Sequence, residues 1–197
     1  LYNPFPDGGG VALYQLNGDA TDVSGNYDGA AANVTYGAGQ FGQAGVFNGS
    51  SSEITITSTS TSPVNFNDKN YTISAWIKTT QTTTNVYGSI LTKYGSVDAN
   101  RSFGVFFNGS NGKVIFLERA TGATEETISN ASVNDGVWHN IVVVKTSNTK
   151  LIYIDGSLDV SKNTTFTPNS GSSEPLRIGS TGGTTNNRIN GSIDQVR

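Results

Sequence analysis

Apolar residues recur at every second position in short segments of this chain, and clusters of Gly, Asn, Ser and Thr separate the segments. Over residues 70–79, Tyr71, Ile73, Ala75 and Ile77 alternate with Thr72, Ser74, Trp76 and Lys78. Alternation carried by β-branched and aromatic side chains predicts a central strand. "VALYQL" (11–16) predicts a first strand, and "AGVFNG" followed by "SEITIT" (44–57) predicts a strand, a turn and a second strand. Further strands are expected at 88–95, 101–109, 113–119, 125–129, 138–145 and 150–154, with "PLRIGST" and "INGSIDQVR" closing the set. "FFNGSNGKVIF" is a hairpin signal, and Asp155-Gly156 supplies the positive φ angles that a tight turn requires. Apolar residues nowhere keep the i, i+3, i+4, i+7 spacing of a helix face, so almost no helix is expected.

Turns spaced roughly 8–12 residues apart suit a sandwich of two antiparallel sheets. Composition agrees, with 35% apolar and only 14% charged residues among 197. A net charge of -3 without blocks of like charge gives nucleic acid or an anionic membrane no electrostatic foothold. Apolar runs such as "IVVV" fall far short of the ~20 residues that span a bilayer. Without cysteine, disulfides and thiolate metal sites are excluded. Residues 1–10 read as a Pro/Gly-rich linker or N-terminal extension ahead of a single domain at 11–197. The chain contains no methionine, which leads us to expect a piece cut from a larger polypeptide.

Taken in order, "LNGDATDVSGNYDGA", "FGQAGVFNGSSSEITI", "YTISAWIKT", "DGVWHNIVVVK", "LIYIDG" and "INGSIDQVR" resemble the laminin-G-like, concanavalin-A-like jelly-roll domains of secreted and surface proteins and viral appendages. The ordered set carries the resemblance, which covers nearly the whole chain from Val11 to Arg197. It implies an all-β jelly-roll sandwich of two curved antiparallel sheets with almost no helix.

Residues 17–29 place Asp19, Asp22 and Asn26 among glycines. Either Asp and Asn cap turns there, or they supply hard oxygens to Ca2+, which takes about 6–8 of them. One loop rarely fills that shell, and the resemblance places the "SIDQV" strand beside the first one, which nominates Asp194. The expectation is a structural Ca2+ held by Asp22 and Asp194, with Asn26 and loop carbonyls completing the shell and Asp19 as a further candidate.

Catalytic constellations are missing. The single histidine, His139 in "WHNIVV", is expected to be a half-buried strand residue bonded to neighbouring backbone, and Trp76 and Trp138 are expected in the core. Glu125 and Glu126 point to opposite faces of a strand, which suits a solvated edge better than the paired carboxylates of a glycosidase. Asp135 and Asp155 each precede glycine and read as turn residues. The chain therefore reads as no enzyme.

What remains is a recognition or adhesion module at an extracellular, cell or virion surface, taking a glycan or a surface receptor through polar loops at one rim. Loops 79–88, 94–102 and 180–190 offer aromatic, amide and guanidinium groups that stack on sugars and bond hydroxyls. The candidates are Tyr87, Tyr94, Asp98, Arg101, Asn187 and Arg188. The alternative is a structural domain of a filament, capsid or viral tail, whose partners are other copies or neighbouring domains.

Overall fold

The alternating segments fold into two sheets. The computed structural model describes residues 8–58, 65–66, 70–83, 86–169, 172–182 and 187–197. In chain order the strands are β1 (Gly29–Ala32), β2 (Thr35–Ala38), β3 (Gln43–Asn48), β4 (Glu53–Ile56), β5 (Tyr71–Thr79), β6 (Tyr87–Lys93) and β7 (Phe103–Asn108). They continue with β8 (Lys113–Ala120), β9 (Ala123–Ser132), β10 (His139–Lys145), β11 (Thr149–Ile154), β12 (Ser157–Asn163), β13 (Leu176–Ile178) and β14 (Asn190–Asp194). Among the described residues the only helix is a 3-10 turn at Asp98–Asn100.

The first sheet runs β1-β4-β13-β6-β7-β8-β9 and the second β12-β11-β10-β5-β14-β3-β2, seven strands each. Every pairing is antiparallel. The expected sandwich is therefore present. Ile73, Ala75 and Ile77 of β5 face Phe103, Val105 and Phe107 of β7 in a shared core that runs in sequence from Ala12 to Val196.

Three segments depart from the sequence expectation. Residues 11–16 form no ladder; Tyr14 alone makes single bridges, to Val196 on one side and Asp22 on the other. β1 and β2 were unanticipated because "GAAA" and "TYGA" carry no alternation, and β12 is too polar to signal a strand. The linker assigned to 1–10 lies largely outside the described residues.

Both tryptophans miss the core. Trp76 shares β5 with inward-facing Ile73, Ala75 and Ile77, so the period of two turns it to the outer face. There it meets Phe41 edge-on, ring centroids 5.8 Å apart. Trp138 lies just before β10 and is half-buried.

One side of the sandwich is sealed by side chains. Asp159 on β12 accepts the N–H groups of Asn130 (2.6 Å) and Ala131 (3.0 Å) on β9. Deeper in, Lys150 Nζ lies 2.8 Å from Glu118 Oε2 and 2.8 Å from Glu125 Oε2. Tyr71 donates its hydroxyl to Glu118 Oε1 at 2.9 Å, and Thr164 donates to Glu125 Oε2 at 2.7 Å. Glu125 is thus no solvated edge residue. A buried charge is tolerated when partners surround it, and this network supplies them.

Candidate functional site

The outer face of the first sheet is built by the residues that alternate with the core. On β7, Phe103, Val105 and Phe107 point inward, which leaves Phe106 outside. On β8, Val114 and Phe116 point inward and Ile115 and Leu117 outside. Phe106, Ile115 and Leu117 form a second apolar cluster, against which Tyr87 and Tyr94 pack. The Tyr87 ring lies 5.8 Å from Phe106, and the Tyr94 ring meets Phe106 edge-on at 6.1 Å. Gly104 makes room for this, because a Cβ there would sit 2.1 Å from the Phe106 ring.

A braced wall stands beside the tyrosines. Arg101 places its guanidinium 4.6 Å above the Tyr94 ring, a cation–π contact that holds the ring. Asp98 accepts from Arg119 Nε at 2.6 Å and from the Gly122 N–H at 3.0 Å. The Arg119 bond, then the Gly122 N–H, hold the Asp98 carboxyl below the usual range, and Asp98 in turn raises Arg119. Asn169 ties the wall down, donating its side-chain amide to the carbonyls of Asp98 (3.1 Å) and Arg101 (2.9 Å). Burial, then the nearby charges of Glu126 and Tyr94, push the Tyr87 phenol up.

Four of the six expected ligand residues therefore converge here: Tyr87, Tyr94, Asp98 and Arg101. Asn187 sits behind them, with its Oδ1 accepting the Tyr87 N–H at 3.3 Å and its carbonyl accepting Ser89 Oγ at 2.6 Å. Arg188 is drawn elsewhere, to Glu53 Oε2 (3.3 Å) and the Ser52 carbonyl (3.0 Å). The middle of loop 180–190, residues 183–186, lies outside the described residues, as do residues 84–85. Sequence reading missed the floor residues Phe106, Ile115 and Leu117 and the brace Asn169. The strand alternation of β7 and β8 could have found the floor; Asn169 gave no signal.

The nominated metal residues serve two different loops. Asp22 Oδ1 accepts the N–H of Leu13 (2.9 Å) and Ser24 (3.0 Å). Its Oδ2 takes the Ser24 hydroxyl and the N–H groups of Asn26 (3.3 Å) and Tyr27 (3.1 Å). Burial alone would raise the Asp22 pKa, but these donors outweigh it and lower it. Asp19 accepts the Thr21 N–H at 3.0 Å, and Asn26 turns its amide nitrogen toward Ser24. Donors fill this loop where calcium would need lone pairs, so the loop itself does not fit the ion.

Asp194 shares no partner with Asp22. It is paired in register with Trp76 on the outer face of the second sheet, and its Oδ2 accepts the Phe41 N–H at 2.8 Å. Burial raises its pKa above the usual value, against the backbone N–H groups of Phe41, Gln195 and Gln40. Its Oδ1 is buried without a hydrogen-bond partner, and that oxygen fits a cation. No group of three or more His, Cys, Asp or Glu suited to a metal occurs among the described residues.

His139 differs from expectation. Its Nδ1 lies 2.8 Å from Asp155 Oδ2 and its Nε2 3.1 Å from Asp135 Oδ1, so it is held by two carboxylates and not by backbone. Desolvation would lower its pKa, and the two carboxylates together raise it. Both ring nitrogens are occupied by carboxylates, and among the described residues no serine contacts them, so the described residues assemble no nucleophilic triad at His139.

Comparison with known proteins bears on this geometry. The profile described as "Concanavalin A-like lectin/glucanases superfamily" matches residues 48–197. The chain belongs to that superfamily. No curated protein matches the sequence. Among solved structures, domain 4 of AbnA, an extracellular GH43 arabinanase of Geobacillus stearothermophilus solved with arabinotriose, superposes at a TM-score of 0.74 and 19% identity. That match covers 95% of this chain and 90% of the arabinanase domain. The binding domain of Paraclostridial Mosquitocidal Protein 1 gives 0.70 at 18% identity, over 94% of this chain and 47% of that one. Botulinum neurotoxin type C, whose cell entry depends on two ganglioside molecules, gives 0.69 at 14% identity, over 94% of this chain and 46% of the toxin chain. The chain thus spans about half the length of both toxin chains. These likenesses establish the jelly-roll fold.

Proposed function

We propose that this superfamily member is a non-catalytic carbohydrate-binding module of an extracellular protein, with its site on the outer face of the first sheet. One observation carries the reading: Tyr87 and Tyr94 stand over an apolar floor of Phe106, Ile115 and Leu117 on a sheet face turned away from the shared core. Sugars bury their C–H faces on such rings and give their hydroxyls to polar neighbours at the margin. The structural relatives support the assignment, one solved with arabinotriose and another tied to gangliosides. Glycan-array screening followed by calorimetry tests it. Tyr87→Ala should weaken binding at least tenfold in a domain that still unfolds cooperatively, at a lowered midpoint because the ring packs on Phe106. A domain that binds no glycan, and instead self-associates, would be a structural piece of an assembly and would end the reading.

A second reading concerns calcium. We infer that a calcium ion at this end of the sandwich would be anchored by Asp194, supported by the buried, partnerless Oδ1. A bound ion would raise stability by mass action. Equal unfolding midpoints in excess Ca2+ and in chelator would remove this reading and leave the first intact.

A further inference from the structure

We propose that the Tyr94 end of the outer-face site takes the acidic group of an anionic glycan, a carboxylate or a sulfate, between Arg101 and Arg119. The proposal rests on the carbohydrate reading above and deepens it.

The two guanidinium groups meet at one oxygen. Arg119 Nε lies 2.6 Å from Asp98 Oδ1, and Arg101 Nη1 lies 3.7 Å from the same atom. One carboxylate thus serves two cations and leaves one positive charge unmatched. Neither side chain is sealed off, Arg101 being 20% and Arg119 24% exposed. Arg101 donates Nε to the Gly95 carbonyl (2.7 Å) and Nη2 to the Ser96 carbonyl (3.3 Å), while Arg119 donates Nε to Asp98 and Nη1 to Thr124 Oγ1. Neutral oxygens satisfy a guanidinium without cancelling its charge. Arg101 Nη1 and Arg119 Nη2 make no hydrogen bond among the described residues, so their protons are open to a ligand.

Neighbouring charges leave the excess in place. Glu174 stands beside the Tyr94-Gly95 segment, where a Cβ on Gly95 would meet its Oε2 at 2.2 Å, and it is matched by Arg177 at 2.6 Å. Lys93 approaches from the inner side, donating Nζ to Ser58 Oγ at 2.6 Å and to the Glu174 carbonyl. Burial pulls its pKa down to about 8, so it remains a cation at neutral pH. Arg101, Arg119, Arg177 and Lys93 against Asp98 and Glu174 leave two positive charges around Tyr94, in a chain whose net charge is -3.

Glu126 belongs to the other end. It pairs with Leu117, and its charge acts, after burial, on the Tyr87 phenol, whereas the Arg119 shift comes first from the Asp98 bond. Lys162, which donates to the Glu126 carbonyl at 2.8 Å, offsets part of that negative charge. The site therefore has a positive pole at Tyr94 and a weaker negative one at Tyr87.

Guanidinium N–H groups match the paired oxygens of a carboxylate or sulfate, and such charge-assisted bonds are the strong kind. Over an apolar floor the attraction is less screened than in bulk water. An acidic sugar thus lies with its acid toward Arg101 and Arg119 and its hydroxyls toward Glu126, which only accepts.

The test titrates the domain with lactose, sialyllactose and sulfolactose at about 0.01 M and about 1 M salt, where screening lengths are about 30 Å and about 3 Å. Wild type should bind at least one acidic sugar about tenfold more tightly than lactose at low salt and lose most of that gain at high salt. The acid that gains identifies the group, carboxylate or sulfate. Arg119→Gln should cut the acidic-to-neutral ratio about fivefold, Arg119→Lys should restore most of it, and Glu126→Gln should raise it. The ratio separates lost charge from a loosened loop, because loosening weakens the matched sugars together. Acidic sugars that bind no better than lactose, or a ratio untouched by Arg119→Gln, overturn the proposal while leaving a glycan site in place. If wild type binds none of the three, the proposal falls, and the carbohydrate reading falls with it only when the glycan array is blank as well.

Discussion

Tyr14 and Val196 exchange both backbone hydrogen bonds, N to O at 2.8 and 2.9 Å, and so join the first apolar segment to the last. Arg197 makes the same exchange with Ser74, at 2.9 and 3.0 Å. Val196 is also 1% exposed and belongs to the core.

Removing Val196 and Arg197 therefore deletes these bonds and one buried aliphatic side chain. At about 1 kcal/mol for each of the four hydrogen bonds and about 1.5 for the valine, the loss should be roughly 5–6 kcal/mol. Urea unfolding measures it, and a change below about 1 kcal/mol would show that the terminal clamp contributes little.

Lys150 is completely buried against Glu118. Lys150→Ala should cost about 3–5 kcal/mol because it takes the shared cation from Glu118 and Glu125, whereas Lys150→Met combined with Glu118→Gln should recover part of that loss, with Glu125 left to Thr164 and Lys162. Chemical denaturation of the single and double variants decides the matter. A single variant as stable as wild type would mean that water reaches the pair.

Asp22 and Asp194 should respond to acid in opposite senses. The folded-state pKa of Asp22 is lowered, so its contribution is present above the unfolded value of about 3.9 and is lost as pH falls through the folded value. The folded-state pKa of Asp194 is raised, so its contribution is present below about 3.9 and is lost as pH rises through the folded value. Thermal scans of wild type, Asp22→Asn and Asp194→Asn between pH 3 and 7 should show the first variant's deficit growing with pH and the second's shrinking. Parallel curves would contradict the assignment.

His139, raised by Asp155 and Asp135 against desolvation, should titrate above 6.5 in an NMR experiment. Its contribution is fully present below that unfolded value and is lost as pH rises through the folded one. Asp155→Asn should bring the titration back toward 6.5, and an unmoved midpoint would leave Asp135 as the main partner.

Period-two segments made the sandwich legible, because burial on one face imposes that period, and Ile73 to Ile77 show it directly. The same rule was under-used for Trp76, whose size suggested the core although its position between Ala75 and Ile77 turned it outward. β1 was hidden because a row of Gly and Ala carries no alternation, and β2 because only Tyr36 of its four residues adds a large apolar side chain. At the site, Tyr87, Tyr94, Asp98 and Arg101 were found from loop chemistry. Asn169 was not, since its role depends on a chain segment far from the loop it braces. Asp22 looked like a ligand for the same reason that it is a loop hub: a short carboxylate among glycines attracts whichever partner is nearest, here the N–H groups of its own turn.

The Asp159 seam has a bearing on solubility. By occupying the N–H groups of Asn130 and Ala131, it denies another chain the longest exposed border of the first sheet. The opposite borders, β1 and β2, are four residues each and consecutive in the chain, and Gly29 already donates to Ala20. Runaway strand-by-strand polymerisation is thereby confined to one small corner, and Asp159→Ala is the change that would open a second.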